Sequence, residues 1–139
     1  MTVPSSDEQE LENWFFENIS TDKKQVFKKF EMTISVMQDA DSIRRVAYEA
    51  VEDLVEDGVV YGELRYAPLQ HLQGKLSSQE VVDAVSTGIK DGQKDFGGEF
   101  YTILCAMRQH KNSTEVAELA IKNFNNKVIG FDLAGPEYN

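Results

Sequence analysis

The hydrophobic period of the chain changes at Gly58, and no other feature limits its fold as much. Before that glycine, Ile43, Val46, Ala47, Ala50, Val51, Leu54 and Val55 recur at the three- and four-residue intervals of an amphipathic helix. Asp39 or Asp41 can cap its start, and Gly58 offers a left-handed stop. Directly afterwards Val59 to Ala67 is rich in β-branched and aromatic residues and ends at Pro68, which predicts a strand. The change then recurs. The capping box Ser77-Ser78-Gln79-Glu80 opens a second helix with Val81, Val82, Val85, Ile89 and Phe96 on its apolar face, and Gly97-Gly98 closes it. Gly88 and Gly92 weaken its middle by up to ~1 kcal/mol each relative to alanine. The strand Tyr101 to Met107 follows. A third helix, capped by Asn112 or Ser113 and carrying Val116, Leu119, Ala120 and Phe124, ends at Asn125-Asn126 and precedes the strand Val128 to Phe131.

Helix and strand in alternation produce parallel βαβ units. The last two strands are nearly continuous in hydrophobicity, as strands buried on both faces are. Three parallel strands close no barrel and complete no doubly wound sheet. The expected fold is therefore α/β, a segment of a larger barrel whose open sheet edges invite pairing with a second copy. Upstream, Leu11, Trp14, Phe15 and Ile19, then Val26, Phe27, Phe30, Ile34 and Met37, give two amphipathic helices joined at Ser20-Thr21. One domain segment over 1–139 is thus expected, with a helical region at 7–38 and βα units at 39–139.

Several functions are disfavoured by what the sequence contains. With 14 basic against 24 acidic residues the net charge is -10, which repels a nucleic-acid backbone. No apolar run is long enough to span a bilayer and Met1 to Ser6 does not resemble a signal peptide, so a cytoplasmic protein with no membrane association is expected. The single cysteine, Cys105, forms no internal disulfide and, inside an apolar strand, reads as an inert buried thiol. His71 and His110 fall in polar loops and read as solvated. Without His-x-His, His-x-x-x-His or Cys-x-x-Cys, they assemble no metal site. Glycine-rich nucleotide loops and the Gly-x-Ser-x-Gly elbow are absent as well.

A few residues can still carry chemistry. Glu63 and Arg65 lie two positions apart, hence on one strand face and ~6.6 Å apart, while Asp132 ends the third strand. An internal ion network and a direct site role both fit these three. Gly135 lies where a ligand could approach a backbone N–H without a side chain in the way, or it is a plain turn glycine. Met107 is an apolar wall for a planar ligand or a core residue.

The motifs Gly58-Val59-Val60-Tyr61-Gly62-Glu63-Leu64-Arg65-Tyr66-Ala67-Pro68, Ile103-Leu104-Cys105-Ala106-Met107-Arg108-Gln109-His110 and Gly130-Phe131-Asp132-Leu133-Ala134-Gly135 together resemble the adenosine deaminases. The likeness runs from Val26 to Glu137. It implies the second, third and fourth strands of a (β/α)8 TIM-type barrel and, for the whole enzyme, a zinc-activated hydroxide that converts adenosine to inosine and ammonia. The family's metal ligands and proton-shuttling glutamate match no residue here, so no catalytic and no metal residue is expected within this chain, which should be inactive alone. The resemblance also implies that the Gly135 N–H contacts the purine nucleoside substrate, that Met107 and Ala134 line its pocket, and that Val26, Phe27 and Phe30 belong to a covering helix. Asp132, Glu63 and Arg65 are expected to support these. Pro136 departs from the acidic residue many members have there, and Val26 from a frequent aromatic. Two other readings stand beside this one: a non-catalytic half-barrel interaction module, and a related purine aminohydrolase such as an adenine deaminase.

Overall fold

The structure, a computed structural model, describes residues 4–16 and 23–135, and of residues 23–27 the backbone alone. The chain divides into two compact units, Met1–Val36 and Met37–Asn139. The first holds α1 (Glu8–Phe16) and α2 (Lys23–Ser35). Asp7 starts α1 by accepting from the Glu10 amide at 2.9 Å. Ile19 and the joint at Ser20-Thr21 lie outside the described residues, as do the side chains of Val26 and Phe27. Helix α2 stops three residues before the expected Gln38, and Phe30 is exposed.

The second unit runs α3 (Ala40–Glu56), β1 (Tyr61–Tyr66), a 3-10 turn at Pro68–His71, α4 (Ser78–Phe96), β2 (Glu99–Met107), α5 (Ser113–Lys122) and β3 (Val128–Ala134). Local signals place most of these boundaries. Asp39 caps α3, accepting from the Ser42 amide at 2.8 Å. Ser77 and Glu80 form the reciprocal box at the start of α4, where the Glu80 carboxylate accepts from the Ser77 amide at 2.8 Å. Gly58, at φ 84°, ends the turn that releases the chain into β1.

The three strands are parallel and ordered β1-β2-β3. One sheet face is covered by helices. Ile43, Ala47 and Val51 of α3 pack with Val81, Val85 and Ile89 of α4 and with Phe100 of β2. Val82, Leu104 and Ala106 pack with Val116, Leu119 and Ala120 of α5 and with Val128. Gly88 and Gly92 belong to this packing. A Cβ at Gly88 would collide with the Arg44 carbonyl oxygen and lie 2.9 Å from the Ala47 Cβ; one at Gly92 would lie 2.8 Å from the Val51 Cβ. The glycines that weaken α4 as an isolated helix are what let α3 approach it.

Three further expectations change. Strand β3 continues to Ala134, three residues past Phe131, so Asp132 and Ala134 sit within the ladder, paired with Cys105 and Met107. Phe124 is exposed rather than packed, because α5 ends at Lys122 and the helical phase is lost before it. His71 is buried rather than solvated: the 3-10 turn folds it inward, placing Nδ1 2.8 Å from the Met37 carbonyl oxygen. Gln38 joins the same contact, donating to the Gln70 carbonyl at 3.0 Å and accepting from the Gln73 amide at 2.9 Å. Among the described residues, no helix is long and apolar enough to cross a membrane.

Candidate functional site

The second sheet face carries Glu63, Arg65, Asp132 and Met107, which strand position singled out, and Ala134, which the resemblance alone implied. Side chains alternate along a strand. Because Gly62, Leu64 and Tyr66 turn to the helices, Tyr61, Glu63 and Arg65 occupy the opposite face, with Ile103, Cys105 and Met107 of β2 and Gly130, Asp132 and Ala134 of β3 beside them. All three strands run the same way, so Met107 and Ala134, which are register partners, stand together at the C-terminal mouth. Gly135 follows at once.

Charge on this face is paired across the sheet. Arg65 Nη1 donates to Asp132 Oδ2 at 2.5 Å, reaching from β1 to β3 across the intervening β2. Glu63 does not take that arginine; it accepts from the Tyr61 hydroxyl at 2.7 Å. Asp132 therefore keeps its proton off more readily than an ordinary carboxyl. The Leu133 amide lowers its pKa most, followed by the hydrogen bond and charge of Arg65 and the charge of Arg108. Beneath this bridge the buried Cys105 thiol is pushed up chiefly by burial, with Asp132 adding to the rise and Arg65 opposing it. It is held as a neutral thiol and is not an activated nucleophile.

At the mouth, Gly135 has φ 110°, a backbone conformation that favours glycine. A side chain there would collide with the Gln109 amide oxygen and lie 3.3 Å from the Arg108 backbone nitrogen. In the sequence Arg108 stands out only as part of the motif Ile103–His110. In the fold its backbone N–H donates to the Ala134 carbonyl at 2.7 Å and its Nη2 to the Leu133 carbonyl at 3.3 Å. The signal that could have marked it is a cation directly after a strand, one position beyond Met107.

Among the described residues, one cavity adjoins the strand mouths and a larger one does not. One of about 120 Å3 lies beside Met107 and Cys105, bounded by Ala67, Leu69, Gln70 and His110. It is well below the roughly 300 Å3 at which ligand pockets begin. The larger, about 520 Å3, runs between α3 and α4 on the helix side and is lined by charged residues including the Arg44–Asp91 pair. It does not include the strand mouths. Among the described residues, no group of three or more His, Cys, Asp or Glu is placed to hold a metal ion. His110 is exposed, and His71 already directs a ring nitrogen to Met37.

Comparison with known proteins bears on the whole chain. A family model described as adenosine deaminase matches residues 1–139. The adenosine deaminase of Mycobacterium avium (strain 104) is 42% identical over 141 residues, which cover 97% of this chain and 38% of that protein. In structure, the chain is similar to the Arabidopsis N6-mAMP deaminase, with a TM-score of 0.73 and 26% identity over 81% of this chain and 36% of the other. It is similar in fold to the adenine deaminase of Arthrobacter aurescens, with a TM-score of 0.79 and 20% identity over 99% of this chain and 41% of the other. The chain spans about two fifths of the length of these relatives. Its three parallel strands and helices are an α/β, partial (β/α)8 barrel.

Proposed function

The chain belongs to the adenosine deaminase family, and from that premise we propose that it supplies part of the purine pocket of an enzyme that hydrolyses adenosine to inosine and ammonia. One observation carries the reading: Met107, Ala134 and Gly135 stand side by side at the C-terminal ends of adjacent parallel strands. Barrel enzymes bind substrate at that end. A purine offers a flat apolar face and ring nitrogens that accept hydrogen bonds. The polarizable Met107 thioether suits the face, the small Ala134 leaves room beside it, and the Gly135 N–H suits a ring nitrogen. Asp132, held ionised by its neighbours, and Arg65 support the strand that bears this amide. Glu63, bonded to Tyr61, braces β1. Phe27 and Phe30 enter the proposal on the resemblance alone.

The zinc ion that the family resemblance implies finds no donor set among the described residues. Its ligands, and the groups that move protons in the reaction, are proposed to belong to parts of the complete enzyme other than this chain. What this chain contributes is binding and orientation of the base. The Arabidopsis relative, named for a purine nucleotide substrate, supports a purine rather than a pyrimidine.

Adenosine-to-inosine conversion followed by ultraviolet absorbance, with metal analysis of the same samples, tests this. The complete protein is expected to hold zinc and turn over adenosine, and the chain 1–139 to do neither. Turnover by 1–139 alone would refute the division of labour. A complete protein that deaminates adenine but not adenosine would favour the adenine deaminase reading, and one that deaminates neither would favour a non-catalytic module.

A further inference from the structure

The purine-pocket reading leaves open what aims the Gly135 amide. Strand β3 has little apolar support at its end. Its register slips opposite Thr102/Ile103, its one strand neighbour among the described residues is β2, and Phe131 and Leu133 on its helix-side face are exposed. Yet its last three residues are each held by an arginine. Arg65 grips the Asp132 carboxylate from two strands away, Arg108 Nη2 holds the Leu133 carbonyl, and the Arg108 amide holds the Ala134 carbonyl at 2.7 Å. Gly135 is the next residue. We propose that Arg65 and Arg108 are positioning residues that clamp the end of β3 and so fix the direction in which the Gly135 N–H meets the purine. The inference rests on the pocket reading of Gly135.

The exposure of the pair argues for positioning over stability. The Arg65 and Asp132 side chains are 58% and 36% exposed, and ion pairs that open to water add little to folding. A geometric role is less sensitive to that discount. Two charge-assisted bonds on consecutive residues restrict the peptide planes that follow them, and a binding N–H displaced by about 1 Å loses much of its effect. Arg65 also comes from β1, so the clamp ties the end of β3 to a strand with which it shares no ladder.

The test uses the complete protein and pairs each variant with ligands altered at one atom. Adenosine is compared with analogues in which one ring nitrogen at a time is replaced by C–H. The wild type should discriminate against the analogue whose missing nitrogen accepts from Gly135. Arg65→Met should raise KM for adenosine about tenfold, the loss of one well-made hydrogen bond, change kcat less, and erase most of that discrimination. Arg65→Lys, which keeps the charge but loses the fork, should recover part of it. Arg108→Met should behave like Arg65→Met, and it carries the test should Arg65→Met not fold. Unchanged discrimination in both methionine variants, with activity falling only in proportion to folded protein, would overturn the clamp while leaving the pocket standing. A wild type that shows no discrimination among the analogues would overturn the pocket role of Gly135 and the clamp together.

Discussion

Replacing Gly88 with alanine sets two known effects against each other, and the structure decides the sign. In an isolated helix the change gains about 0.8–1.0 kcal/mol, because glycine is the poorer helix former. In the fold, the added Cβ would collide with the Arg44 carbonyl oxygen and lie 3.1 Å from the Arg44 carbonyl carbon and 2.9 Å from the Ala47 Cβ. Carbon atoms rest about 3.5–4.0 Å apart. The neighbours are backbone or Cβ atoms, so no rotamer change relieves the overlap. Helix α3 must move, and with it Ile43 and Val51, which pack on Val81 and Ile89. Overpacking of this kind costs roughly 1–3 kcal/mol, and backbone involvement places Gly88 at the upper end. Net destabilisation of about 2 kcal/mol is expected, lowering the midpoint of thermal unfolding by something on the order of 8 °C for a chain of this size. Circular dichroism melts, with urea unfolding as a check on reversibility, measure it. A Gly88→Ala protein that melts at or above the wild type would show that the close crossing of α3 and α4 is wrong.

Two further predictions concern the mouth and the buried histidine. Gly135→Ala places a side chain at φ 110°, where strain of about 1–3 kcal/mol is usual, and covers the approach to the backbone amide. In the complete enzyme KM for adenosine should rise by about tenfold or more, and an unchanged KM would remove Gly135 from the pocket. Burial holds His71 below its ordinary pKa of 6.5, against a smaller opposing effect of the Met37 carbonyl. The unfolded chain therefore takes up the proton first. The stability from the neutral ring is fully present above pH 6.5 and is lost as pH falls through the lower folded value. His71→Asn keeps a donor toward Met37 but does not titrate, so its stability should decline less below pH 6.5. Equal declines in the two proteins, measured by urea unfolding across that range, would refute the assignment.

The period change at Gly58, the caps at Asp39 and Ser77, and the thrice-repeated passage from helix to strand determined the elements and their parallel arrangement, because each of these signals acts within a few residues of itself. Strand alternation likewise placed Glu63 and Arg65 on one face. It could not say that Arg65 would leave its neighbour and bind Asp132, 67 positions away, since that choice depends on strand order. Nor could sequence show that His71 is folded inward, that Phe124 lies beyond the end of its helix, or that β3 runs on to carry Asp132 and Ala134. The glycines of α4 make the contrast plainest. As local features they weaken a helix; only the passage of α3 across them reveals the space they provide, because closeness between distant segments is a property of the packed chain and leaves no period in the sequence.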